Sequence, residues 1–200
     1  MQVLYDHQAF TIQNFGGISR YFIELFHHLK TVPNLELKHT PQFSNNVYLS
    51  QYGKISSMRF LKTDNNDRNL NIMRHTNNLV SMASVAAGGY DVFHPTYYDP
   101  YFLRTGIRKP FVVTFHDMIH EHFCKLYPDL DTPLIAHKKQ LLEKSAAVIS
   151  VSESTKRDIL ALYNIPEDKI KVIPLATSLQ AVSSATTEGD FGEYLLYVGN

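Results

Sequence analysis

Two stretches of the chain hold closely spaced side chains suited to acid–base or ligand-binding chemistry. One of them, H-D-M-I-H-E-H, runs from His116 to His122 directly after the apolar run F-V-V-T-F. Histidine exchanges protons near neutral pH and binds metals, and carboxylates accept protons or ligate cations. The spacing H-D-x-x-H is similar to H-E-x-x-H, in which two histidines on one helix share a zinc ion. A metal-dependent hydrolase using His116, Asp117 and His120 is therefore one hypothesis.

Two features of this stretch weaken the metal hypothesis. His116 directly follows an apolar strand, so helical spacing between the two histidines is doubtful, and Asp117 replaces the general-base glutamate. His120 and His122 also have a simpler interpretation as loop histidines that hydrogen-bond to backbone groups. A functional role is favoured for His116 and Asp117, which stand at the tip of the strand.

The other stretch, F-G-G-I-S-R-Y-F, leads from an apolar strand into a helix and contains Gly16 and Gly17 at the start of that helix. Glycine has no Cβ, so backbone N–H groups there can approach a bound group closely. The helix N-terminus adds a partial positive charge, which favours a phosphate. An ordinary tight turn remains the alternative interpretation. The fingerprint G-x-G-x-x-G is absent, which disfavours a dehydrogenase.

Apolar, strand-like runs alternate with helical patterns along the chain. We predict strands near 2–6, 35–40, 91–94, 111–115, 147–151 and 170–173, and helices near 17–31, 67–87, 132–145 and 153–163. Such alternation is typical of βαβ units. We therefore predict an α/β fold, a Rossmann-like open parallel sheet with helices on both faces. The region 44–66 is the least regular.

Polar side chains follow the predicted strands at their carboxyl ends, where open parallel sheets bind ligands. Besides the two stretches above, these residues include Asp6, His7, His94, Tyr97 and Ser152. Several have plain structural interpretations as well: Tyr97 as a packing residue and Ser152 as the cap of the next helix. Their gathering at one edge nevertheless favours a functional site there.

Composition excludes several classes of protein. Lys plus Arg equals Asp plus Glu at 19 each, so a nucleic-acid partner is not expected, although peripheral membrane contact through a local patch stays open. The single Cys124 cannot form an internal disulfide. The N-terminus does not resemble a signal peptide, and no run of about 18 apolar residues predicts a membrane-spanning helix. We expect a cytoplasmic protein.

The domain organisation follows from a change in composition. Residues 1–176 form one predicted domain, and the small, polar residues of 177–193 predict a linker. Residues 194–200, Y-L-L-Y-V-G-N, are predicted to be the first strand of a second domain.

Taken together, the motifs are similar to those of the N-terminal domain of a family 4 glycosyltransferase, the retaining class built from two Rossmann domains (GT-B). The matching motifs are G-G-I-S-R-Y, F-H-P-T-Y-Y, V-V-T-F-H-D, A-V-I-S-V-S-E-S-T-K-R-D-I, K-I-K-V-I-P and Y-L-L-Y-V-G-N, in family order over nearly the whole chain. They most resemble bacterial enzymes that build surface polysaccharides, often mannosyltransferases.

This resemblance implies transfer of a hexose from a nucleotide-sugar donor to a saccharide or lipid-linked acceptor, without a cofactor or an active-site metal. It places the donor phosphates near Gly16 and Gly17, and His116 beside the donor sugar, with Asp117 fixing the loop. The remaining candidates, for binding the acceptor or sugar, are His94, Tyr97, Glu121 and Ser152.

The chain departs from the family pattern at Ala176, where the family usually has a hinge glycine. The resemblance also places the residues that bind the nucleotide beyond Asn200. This chain is therefore expected to be inactive in sugar transfer on its own. A non-catalytic sugar- or nucleotide-binding module is the third hypothesis.

Overall fold

A computed structural model describes residues 1–53, 57–58, 67–130 and 132–176. The strands are β1 Gln2–Tyr5, β2 Glu36–His39, β3 Gln42–Phe43, β4 Ser57–Met58, β5 Val92–His94, β6 Val112–Phe115, β7 Ala147–Ser150 and β8 Ile170–Val172. The α-helices are α1 Gln8–Ile12, α2 Gly17–Leu29, α3 Val47–Tyr52, α4 Asp67–Ala87, α5 Ile119–Phe123, α6 Pro133–Lys144 and α7 Glu153–Leu162. The predicted linker 177–193 and strand 194–200 lie outside the described residues.

The predicted parallel sheet is confirmed. Two three-stranded parallel sheets, ordered β2-β1-β5 and β6-β7-β8, meet through a bridge between Phe93 and Phe111. Next to that bridge, the Phe93 backbone N–H donates to the Pro110 carbonyl at 3.0 Å. The strand order changes direction between β1 and β5, so the carboxyl ends of these two strands form the topological switch point at which such sheets bind ligands.

Both faces of β1 are covered, as predicted for a Rossmann-like sheet. Val3 and Tyr5 pack into a cluster with α2, whereas Leu4 belongs to a second cluster that reaches to β7 and α7. Alternate side chains of a strand point to opposite faces, which explains the division. Helix α2 buries Ser19, Phe22, Ile23 and Phe26, while Ile18, Leu25 and Leu29 are only partly buried.

Several short elements were not predicted from the sequence: α1, α3, α5, and the 3-10 helices Tyr101–Thr105, Pro128–Leu130 and Glu167–Lys169. Each is too short to produce a hydrophobic periodicity. Helix α3 lies in the region we predicted to be irregular. Asn46 caps it by accepting from the Leu49 N–H, and Gly53 ends it in the left-handed conformation at φ 65°.

No helix among the described residues is both long enough and apolar enough to cross a bilayer.

Candidate functional site

The buried carboxylate of Asp6 ties the tips of β1 and β5 together. Its Oδ1 accepts from the Thr96 backbone N–H at 2.8 Å and from the Thr96 hydroxyl at 2.7 Å. Its Oδ2 accepts from the Gln8 amide at 2.8 Å and from the Tyr101 hydroxyl at 2.9 Å. A buried charge is tolerated when its oxygens are fully hydrogen-bonded in this way. Asp6 therefore fixes the residues that follow β1 and β5 relative to one another at the switch point.

Two buried histidines flank this carboxylate. The His7 ring lies 2.9 Å from both the Thr11 hydroxyl and the Asn78 amide oxygen, and burial lowers its pKa. His94 Nε2 lies 2.9 Å from the Thr114 hydroxyl. Burial lowers the pKa of His94 to about 4, with a smaller opposing effect of Asp6. Both rings are therefore neutral at pH 7.

His116 lies at the tip of β6 with its backbone and ring both held. Its backbone N–H donates to the Tyr98 hydroxyl at 3.0 Å, and its ring meets the Tyr21 ring edge to face at 5.3 Å. The Tyr21 side chain also hydrogen-bonds to Thr114, the partner of His94. Burial lowers the pKa of His116, so the ring is neutral at pH 7.

The contact between Tyr21 and His116 brings the glycine pair close to the β6 tip. Gly17 is the first residue of α2, and Tyr21 follows it by just over one helical turn. The N-cap residue is Gly16, so the first N–H groups of this helix receive no hydrogen bond from an N-cap side chain. A Cβ on Gly17 would meet nothing within 4 Å, whereas one on Gly16 would collide with the Gln13 side chain.

Asp117 and Glu121 share a single fully buried lysine from α6. Lys138 Nζ lies 3.2 Å from Glu121 Oε2 and 3.6 Å from Asp117 Oδ1, and it donates to the Asp117 carbonyl at 3.1 Å. The Glu121 side chain is 4% exposed, whereas that of Asp117 is 45% exposed. Glu121 is thus committed to an internal ion pair, while the Asp117 carboxylate still reaches solvent.

The remaining predicted site residues differ in their surroundings. Tyr97 packs against Tyr98 at 4.6 Å, and burial followed by the nearby Asp117 charge raises its pKa. Ser152 caps α7 as predicted, since its hydroxyl accepts from the Thr155 N–H at 3.0 Å. The functional roles of Tyr97, Ser152, Glu121 and His94 stay predictions.

The described residues give the metal hypothesis no coordination site. Among them, no three His, Cys, Asp or Glu side chains are grouped so that they could hold a metal ion. His122 instead lies 3.3 Å from the Asp158 carboxylate, and His120 carries a buried Nδ1 with no hydrogen-bond partner in the part of the chain described.

Two residues of the site, Tyr21 and Lys138, are not among the candidates that the sequence offers. Tyr21 belongs to the motif G-G-I-S-R-Y but is one of many aromatic residues, and Lys138 lies in a helix with other lysines. The sequence indicates Asp6 only as one of several polar residues after predicted strands. The residue types offered no way to single them out, because their importance comes from burial and from contacts far along the chain.

A sequence profile for Glycosyltransferase Family 4 matches residues 15–180. An uncharacterized glycosyltransferase of Methanocaldococcus jannaschii is 32% identical over 88 residues, which cover 42% of this chain and 23% of that protein. The O-antigen chain mannosyltransferase B of Escherichia coli is 24% identical over 187 residues, covering 86% of this chain and 46% of that protein.

Among solved structures, the apo form of the lipopolysaccharide outer core galactosyltransferase WaaB superposes with a TM-score of 0.53 at 13% identity. The superposition covers 91% of this chain and 48% of that structure, and at this identity it establishes the fold alone. The chain thus spans less than half the length of each of these relatives.

Proposed function

The chain belongs to glycosyltransferase family 4, and on that premise we propose that it is the N-terminal, acceptor-side domain of a retaining glycosyltransferase. The proposed reaction moves a hexose, with mannose as the first sugar to test, from a nucleotide-sugar to a saccharide or lipid-linked saccharide. The nucleotide-sugar is the donor substrate, and no cofactor is involved. The proposed setting is bacterial surface-polysaccharide synthesis in the cytoplasm, with peripheral contact at the inner membrane face.

The observation that carries this proposal is the contact of Tyr21 with His116. It sets the uncapped N-terminus of α2 beside the tip of β6, at 5.3 Å between the two rings. A diphosphate at the N–H groups of Gly16 and Gly17 would be stabilised by the helix dipole and by charge-assisted hydrogen bonds. The sugar attached to that diphosphate would then extend toward His116.

The chemistry requires stabilisation of two developing charges, a departing diphosphate and an oxocarbenium-like sugar. Preorganised dipoles supply such stabilisation without reorganising during the reaction. The N-terminus of α2 stabilises the charge of the diphosphate. The neutral His116 ring forms a hydrogen bond to the sugar without adding positive charge beside it. Asp117 holds the loop, since its Oδ1 accepts from the Ile119 N–H at 3.2 Å. In the proposed step the acceptor hydroxyl attacks the anomeric carbon on the face from which the diphosphate departs, and its proton passes to that diphosphate, so neither a protein nucleophile nor a protein base is needed.

On the acceptor side, we assign four residues to the acceptor site, where they bind the acceptor or hold the site in position: His94, Tyr97, Glu121 and Ser152. Tyr97 is the best placed of these to touch a ligand, because its ring is only partly buried and borders a cleft. His94, Glu121 and Ser152 hold the carboxyl ends of the strands in position through their hydrogen bonds to Thr114, Lys138 and Thr155.

The test is a screen of nucleotide-sugars with the full-length gene product and with residues 1–200. We expect the full-length protein to transfer a hexose with retention of anomeric configuration, read by NMR of the product, and the 200-residue chain to show negligible transfer. Transfer with inversion, or full turnover by the short chain, would contradict the proposal. Absence of transfer with every donor, together with saturable sugar binding, would favour the non-catalytic module instead.

A further inference from the structure

A cleft of about 840 Å³ opens beside Tyr97 and runs between α1, α4 and α6. The 3-10 helix Tyr101–Thr105 contributes part of its lining. Its volume lies within the range of small-molecule sites. His7 and Gln8, which follow β1, line the cleft, so it is continuous with the switch point of the sheet.

The charges lining this cleft are mostly positive. Three basic side chains come from three different elements, Arg74 of α4, Arg104 of the 3-10 helix and Lys144 of α6. Three histidines also line it: His7, His75 and His137. The carboxylate among the described lining residues is Asp99, whose Oδ1 accepts from the Tyr101 N–H at 3.1 Å.

The three cations are not neutralised by carboxylates within the described ranges. No salt bridge there involves Arg74, Arg104 or Lys144, and the guanidinium of Arg74 donates to the neutral Asn71 side chain at 3.1 Å. Like charges that line one cleft raise the potential inside it and attract an anion. Arginine in particular binds phosphate oxygens in pairs.

Helix α6 connects this cationic cleft to the β6 tip. Lys138, in the middle of α6, reaches Asp117, and Lys144, the last residue of α6, lies about 9 Å further along the helix axis. Tyr97 lines the same cleft as Arg104 and Lys144, and it lies close enough to Asp117 to feel its charge, so a ligand with its anionic group at the two cations would extend past Tyr97 toward the β6 tip.

We propose that this cleft binds a phosphoryl group of the acceptor, so that the acceptor is a phosphate- or diphosphate-bearing saccharide. The inference rests on the proposed function and names its substrate class. Ile12, Leu103 and Leu134 also line the cleft, and they would cover the apolar part of a ligand. The phosphoryl group can come from a lipid-linked diphosphate or from a phosphorylated sugar without a lipid.

Direct binding to the full-length protein tests this inference without any transfer reaction. The probes are inorganic pyrophosphate and farnesyl diphosphate, measured by isothermal titration calorimetry at low and high salt. In the double variant Arg104→Gln/Lys144→Gln, we expect the affinity for both probes to fall at least fivefold. The matched control Arg108→Gln/Lys125→Gln removes two exposed cations outside the cleft and should leave both affinities unchanged. Thermal melts of both variants verify that they fold.

The two probes distinguish the sources of the phosphoryl group. Tighter binding of farnesyl diphosphate than of pyrophosphate assigns the site to a lipid-linked acceptor, and equal binding assigns it to a phosphorylated sugar. A loss smaller than fivefold in the folded double variant, or no binding of either probe, would overturn the inference. Calorimetry measures phosphate binding directly and does not depend on transfer. A failed transfer screen therefore does not affect the binding result, and a failed binding experiment overturns this inference even when transfer is observed.

Discussion

At the residue scale, the site depends on histidines whose neutral state is set by burial. His116 stands against Tyr21 and is flanked by Asp117 and Lys138, which shift its pKa in opposite directions after the dominant effect of burial. His94 is buried more completely, and its pKa lies at about 4. Sequence alone could suggest both residues, because each stands at the carboxyl end of a predicted strand. It could not give their protonation, which depends on burial by residues distant along the chain.

Replacing His116 by alanine tests whether this ring acts on the substrate. In the full-length enzyme we expect kcat to fall about 100-fold or more, since a removed group that stabilises developing charge typically costs this much. The urea midpoint should change little, because the ring is only partly buried. His28→Ala, at an exposed position of α2, is the matched control and should leave kcat unchanged. Equal losses of activity and stability would identify His116 as a structural residue.

Acidification should destabilise the fold through His94. Above about pH 6.5 both folded and unfolded states hold a neutral ring, and between about 6.5 and 4 only the unfolded chain binds the proton. The free energy of unfolding therefore falls as pH falls through this window, by at most about 1.4 kcal/mol per pH unit for this group. His39, whose pKa burial also lowers to about 4, adds to the effect.

The variant His94→Gln isolates that contribution. Urea unfolding at pH 7, 6 and 5 should show a shallower loss of stability than in the wild type, whereas His28→Gln should retain the wild-type slope. An unchanged slope in His94→Gln would show that the pKa of His94 is the same in the folded and unfolded states.

At the element scale, two features determine which groups lie at the carboxyl ends of the strands: the start of α2 and the contact of α6 with the β6 tip. The glycine pair begins α2 without a side-chain cap, and α6 reaches the β6 tip through Lys138. The long helices and the buried strands could be predicted because their hydrophobic periodicity extends over many residues. Helices α1 and α5 could not, because each has five residues and depends on tertiary contacts.

Gly17→Ala separates a ligand role from a folding role. The added Cβ meets nothing within 4 Å and the residue has no left-handed backbone, so stability should change by less than about 0.5 kcal/mol. We expect KM for the nucleotide-sugar to rise severalfold, because the methyl group would occupy the space in which we propose that the phosphates bind. The control Gly89→Ala, also with open space around it, should change neither value. An unchanged KM in Gly17→Ala would place the donor phosphates elsewhere.

Lys138→Met should destabilise the domain strongly. Removing the lysine leaves the Glu121 carboxylate buried without its cation, which typically costs 3–5 kcal/mol. The double variant Lys138→Met/Glu121→Gln removes both charges and should recover part of that loss. Chemical denaturation of the two variants measures the difference. Equal stability of the single and double variants would show that the ion pair does not hold α6 to the β6 tip.

At the scale of the whole molecule, the described residues form a Rossmann-like domain in which several candidate site residues stand at the carboxyl ends of the parallel strands. The family assignment agrees with motifs recognised in the sequence, and so does the sheet topology. The cleft between α4 and α6 was not predicted. Its lining comes from residues between His7 and Lys144, so no local pattern could reveal it.

The most direct test of this account is a crystal structure of the full-length enzyme with its nucleotide-sugar donor. We expect the diphosphate within hydrogen-bond distance of the Gly16 and Gly17 N–H groups, and the donor sugar against the His116 ring. A donor whose diphosphate lies away from the N-terminus of α2, with its sugar out of reach of His116, would contradict the account.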